Sequence, residues 1–175
     1  MKKFIYLTLL LIYTSAFTSC SNDEGTASSL SEASIVGTWG LSALQTKNGR
    51  SNTDFAGTSI PATFTELGKG FSTLVTFSEE SNEVTTNGTY RTVLTTTIMG
   101  ETTIEEQEGE SFFEYDEWRL ENNMLYLRTG EKEIGFTITH LSDSKILLRY
   151  EVEETVDLLD AQTNVSATYD MTLSN

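Results

Sequence analysis

The chain has 175 residues, 26 of them Asp or Glu against 11 Lys or Arg, giving a formal net charge of −15 at neutral pH. That length suits one domain with a sizeable core. A charge so negative argues against nucleic acid and against the surface of an anionic membrane, since both would repel it. Sugars, positively charged partners and neutral small molecules stay open.

In chain order, Met1-Lys2-Lys3 is a short basic segment and Phe4 to Phe17 is mostly apolar. The run is too short for a membrane span of about 20 residues and fits the apolar region of a secretory signal. Thr18 and Ser19 are small, and Cys20, the only cysteine, follows directly. This arrangement resembles the lipobox of bacterial lipoproteins, with Phe17 where the common pattern has Leu. The resemblance implies that residues 1–19 are a signal peptide and that Cys20 is the lipidation site, carrying palmitate-type chains. Ser21-Asn22-Asp23-Glu24 is similar to the acidic stretch that follows the lipidated cysteine in surface lipoproteins of Bacteroidetes-type bacteria. That likeness implies an outer-membrane lipoprotein exposed at the cell surface. Small polar residues up to Ser34 make 20–34 a flexible tether, leaving 35–175 as the folded domain.

The body reads as all-β. Thr, Ser, Tyr, Phe, Val and Ile recur in short alternating runs, and no window carries a helical stripe. Ile134, Phe136, Ile138 and His140 alternate with smaller or polar residues. So do Ile146, Leu148, Tyr150 and Val152, and then Val165, Ala167, Tyr169, Met171 and Leu173. A period of two marks antiparallel strands with one buried face. Turn residues at Ser81-Asn82, Gly100, Gly109, Asn122-Asn123, Gly130 and Ser142-Asp143-Ser144 cut the chain. Strands are therefore expected over 35–46, 71–78, 84–98, 101–107, 112–120, 124–129, 133–141, 145–156 and 164–173. Eight or nine strands on short turns form an up-and-down meander, and closing it into a barrel would remove its edges. The segment Lys47 to Gly70, which holds the only proline, Pro61, reads as irregular: a short helix or a lid over one barrel mouth.

Val36-Gly37-Thr38-Trp39 resembles the Gly-x-Trp opening of the lipocalins and wider calycins. Trp118-Arg119-Leu120-Glu121-Asn122-Asn123-Met124-Leu125-Tyr126-Leu127 is similar to a hairpin of lipocalin-like domains in bacterial lipoproteins. Phe136 to Leu148 resembles the strand pair that closes those domains. The likeness implies a lipocalin-like barrel with room for one small apolar ligand. It also implies a structural role for Gly37 and Trp39, the indole plugging the narrow end under a late basic side chain, for which Arg149 is the candidate.

Catalytic chemistry is poorly supplied, and no enzyme is expected. His140 is the only imidazole, so a His-based metal cluster is out of reach, and no Gly-x-Ser-x-Gly elbow occurs. The acidic runs Glu101 to Glu117 and Glu151 to Asp160 do not follow a calcium loop and read as solvated faces or edge protection. No cofactor or metal is expected. Two functions remain. In the first, the barrel of a membrane-anchored lipoprotein binds a small hydrophobic or amphiphilic ligand, its cavity lined by Phe77, Tyr90, Leu94, Trp118, Tyr126, Phe136, Ile138 and Tyr150. In the second, side chains fill the barrel, and a structural or interaction lipoprotein docks a partner protein or glycan through loops and acidic surface. The interior decides between them: an apolar cavity of about 300 Å³ or more favours a ligand.

Overall fold

A computed structural model describes residues 34–109, 112–158 and 161–175. The leader, Cys20 and the tether as far as Ala33 lie outside them. Eleven strands follow in order: β1 (Gly37–Phe55), β2 (Thr58–Lys69), β3 (Leu74–Phe77), β4 (Val84–Asn87), β5 (Arg91–Ile98), β6 (Glu101–Glu108), β7 (Glu117–Glu121), β8 (Met124–Thr129), β9 (Lys132–Ser142), β10 (Lys145–Leu158) and β11 (Ala161–Ser174). All the ladders are antiparallel. Two-residue turns at Ala56-Gly57, Met99-Gly100 and Asn122-Asn123 have φ positive at both central residues. That backbone matches the right-handed twist of the strands they join.

The sheet runs β6-β5-β2-β1-β11-β10-β9-β8-β7, with β3 paired to β1 and β4 to β3. β1 is thus shared between two halves. Its first residues, Gly37 to Gly40, pair with β3, and its later ones pair with β2, while β11 follows it on the other side. The change of partner falls between Gly40 and Gln45, where the β11 ladder is interrupted at Leu41–Ala43, and a second bulge lies between Lys47 and Arg50. There Asn48 has φ 53° and Gly49 lies so close to β2 that a Cβ would sit 2.4 Å from the Phe64 carbonyl oxygen.

Two expectations need correction. The segment Lys47 to Gly70 is neither lid nor helix; it completes β1, turns at Ala56-Gly57 and forms β2. Pro61 is tolerated because the β2–β5 ladder stops at Ala62, so the missing N–H falls beyond the end of β5. The sheet is also not closed into a barrel. β4 and β7 approach at the single bridge Glu83–Glu117, with Trp118 N–H donating to Asn82 O (2.8 Å) and Val84 N–H to Asp116 O (3.1 Å). No ladder follows, because the predicted strand 84–98 breaks at Gly88. Its φ is 97° and a Cβ there would meet the Ser72 carbonyl at 2.2 Å. The chain then leaves as β5 to pair with β2.

The core lies in the half built from β3, β4 and β7 to β9 with the adjoining ends of β1, β10 and β11. Trp39, Leu41, Leu44, Val75, Phe77, Phe113, Trp118, Leu125, Leu127, Phe136, Leu148 and Met171 are among its buried members. Both indoles find acceptors, Trp39 Nε1 on Ile35 O (2.7 Å) and Trp118 Nε1 on Ser78 O (3.0 Å), as buried tryptophans require. Where the halves meet, the buried side chains turn polar: Thr46, Glu66 and Thr92. Beyond them the six strands β6-β5-β2-β1-β11-β10 form an extension without a second layer among the described residues.

Phe136 is fully buried and its ring centroid lies 5.6 Å from those of both Phe113 and Tyr150. Phe136→Ala should lower the unfolding free energy by about 3–5 kcal/mol, measured by urea denaturation against the wild type.

Candidate functional site

The interior was the expected ligand cavity, and its residues mostly touch one another. Phe77 meets Trp118 edge-on at 5.6 Å, and Phe136 stacks on Phe113 and lies tilted against Tyr150. Tyr150, Tyr169 and Phe112 continue the cluster at centroid separations of 5.1 to 6.2 Å. Ile138 is buried beside them, and Tyr90 is buried at the β4–β5 break, stacked on Phe71 at 5.7 Å. Among the described residues, most of the side chains expected to line a cavity therefore pack against one another.

Two of the eight expected cavity residues stand elsewhere. Leu94 is half-buried in the extension, between Glu66 of β2 and Glu105 of β6. Tyr126 faces outward, because Leu125 and Leu127 take the inward positions of β8 and successive side chains alternate. Its ring carries the Arg119 guanidinium at 3.8 Å, a cation–π contact. Arg119 also bonds Glu121 and Glu133, and Arg128 bonds Glu117, so this outer face is a lattice of ion pairs.

Gly37 and Trp39 open β1 as the motif implies, but Arg149 does not cover the indole. Odd-numbered residues of β10 point away from the core, and Arg149 Nε donates to Asp170 Oδ1 at 2.9 Å. His140 is likewise exposed. A bulge between the pairs Leu147–His140 and Leu148–Ile138 inserts Thr139 and shifts the alternation, which turns the imidazole to the outer face. Among the described residues, no group of three or more His, Cys, Asp or Glu could hold a metal ion.

A trough of about 770 Å³ lies on the extension. Strand register explains its lining. Thr97, Thr63, Arg50, Ser166 and Glu153 are successive cross-strand partners over β5, β2, β1, β11 and β10. Two residues along, Pro61, Asn52, Asn164 and Thr155 form a second row on the same face. The trough runs between the rows, across the strands, and the Met99-Gly100 turn closes one end. Asn52 Oδ1 accepts from Ser59 Oγ at 2.8 Å and Asn164 Oδ1 from Thr155 Oγ1 at 2.7 Å. Each Nδ2, and the Arg50 guanidinium, is left without a partner among the described residues. None of these side chains stood out in the sequence. The signal that could have found them is the alternation of Ile60, Ala62, Phe64 and Glu66 with Ser59, Pro61, Thr63 and Thr65, which marks β2.

Comparison with family models, with curated proteins and with solved structures found no match to this chain.

On the same outer face, Asp170 stands between Lys47 (2.7 Å) and Arg149 (2.9 Å). Partial burial pushes its carboxyl upward, but the hydrogen bonds from Arg149 and Lys47 outweigh that and hold it below the ordinary aspartate value. A depressed carboxyl stabilises the fold above the unfolded-state value, and that stability is lost as pH falls through the folded value. Asp170→Asn should therefore flatten the decline in stability below about pH 4. The difference should stay under about 1 kcal/mol because the cations are half-exposed, as read from urea unfolding at a series of pH values.

Proposed function

We propose that this chain is a bacterial outer-membrane lipoprotein, held by an acylated Cys20, that docks a partner through the outside of its sheet extension rather than storing a small molecule inside. The observation that carries this reading is the ring cluster of Phe113, Phe136, Tyr150 and Tyr169, whose rings pack against one another on the core side of the sheet. A storage protein needs that space empty, since a drug-sized ligand calls for several hundred Å³. The extension supports the docking reading from the other side. Its core-side face carries exposed Phe55, Ile98 and Val156, and its outer face carries the trough. The tether of 20–34 would hold this body off the lipid, with acyl chains supplying the anchor.

Native mass spectrometry of protein extracted from its host in detergent tests both halves of the reading. The expected species begins at Cys20, carries acyl chains and retains no other small molecule, and Cys20→Ala yields no acylated form. A stoichiometric hydrophobic molecule travelling with the chain would overturn the docking reading, and an unacylated wild type would overturn the anchor.

A further inference from the structure

We propose that the trough on the extension is a binding site for a neutral oligosaccharide laid across the strands. The inference rests on the docking reading for where the ligand is met, and on the trough alone for its chemistry.

Periodicity is the first argument. The two rows repeat once per strand, and neighbouring strands lie about 4.8 Å apart, so the five strands β5 to β10 span roughly 19 Å. A pyranose chain advances by about one strand spacing per ring. An extended peptide repeats same-side groups at roughly 6.6 Å, twice the rise per residue, and falls out of step with the rows after one interval. Backbone pairing cannot rescue a peptide here, because a chain crossing the strands meets a sheet face rather than an edge.

The lining supplies the second. Sugar hydroxyls donate and accept at once, and the trough offers both functions side by side. Asn52 Nδ2, Asn164 Nδ2 and the Arg50 guanidinium donate, Glu153 accepts, and Thr63, Thr97 and Ser166 can do either. The single cation stands against Glu153 and Glu154 in a chain that is acidic throughout, so an anionic glycan would be repelled. A cationic ligand would have to lie along Arg50. An uncharged one meets neither cost.

Met99 is the third. It occupies the first central position of the β5–β6 turn with φ 51° and is 85% exposed. Bulky side chains rarely adopt that backbone, and Asn, Asp or Gly is the usual choice there. Neither the turn nor solvent favours an exposed thioether, so folding stability does not account for it; strain of this kind is more common at functional sites. Beside Pro61 at the end of the trough, an unbranched, polarizable side chain suits the C–H face of a sugar ring.

Isothermal titration of the full chain in detergent with maltohexaose, cellohexaose, xylohexaose and mannohexaose tests the site. At least one should bind saturably. Asn52→Asp and Asn164→Asp keep the shape and the acceptors for Ser59 and Thr155 while removing the free donor, and each should weaken binding by about tenfold. Met99→Asn should raise the melting temperature yet weaken binding, a pairing that a merely structural turn residue would not show. Melting curves identify any variant that fails to fold. Saturation by none of the four sugars, or binding indifferent to all three substitutions, overturns the site. Such a failure beside an acylated, ligand-free chain would leave the docking reading standing; a retained interior molecule beside normal sugar binding would do the reverse.

Discussion

Everything in this fold hangs on the ladder between β1 and β11. It runs from Gly40–Ser174 to Phe55–Ala161, longer than either half of the molecule needs. At one end its inward side chains, Leu41, Leu44, Met171 and Leu173, are buried in the core. At the other, the same two strands carry the trough. The bulge at Lys47–Arg50 lies between the two regimes, after β2 has replaced β3 beside β1, and Gly49 lets β2 approach closely there. A Cβ at Gly49 would collide with backbone, so the hinge between halves depends on one residue type. Burial by the core end must stabilise an extension that has little of its own.

Much of the packed half was legible in the sequence. Strands β8, β10 and β11 alternate cleanly, and the turn at Asn122-Asn123 stands where two such residues favour positive φ. The extension was harder to see for a physical reason. Its strands are built from Thr, Ser, Asn and Glu because neither face is fully covered, so the contrast between inward and outward positions that reveals a buried strand is faint. β2 adds Pro61 and Gly68, and Gly57 and Gly70 flank it, which together read as loop. Barrel closure is a long-range property: it depended on whether residues after Gly88 stayed beside β7, and no local pattern carries that information. The inserted residue at Thr139 is similar. It reverses the face of His140 without leaving a mark on the hydrophobic period.

The two surfaces have a division of labour that follows from their chemistry. On β7 to β9, Arg119, Arg128 and the facing glutamates are already satisfied by one another, which makes that face a poor recognition surface. On the extension, donors remain open while their acceptor atoms are locked, so side-chain positions are set before any ligand arrives. Pre-organised polar groups of this sort lose less freedom on binding.

The packed interior is the central claim, and tryptophan fluorescence tests it most directly. Trp39 and Trp118, the only two tryptophans in the chain, are both buried against the core, so any molecule entering it must alter their emission. Titration with 1-N-phenylnaphthylamine should leave that emission without saturable change. Saturable quenching that disappears in Trp118→Phe would show a ligand among the core rings and contradict the account.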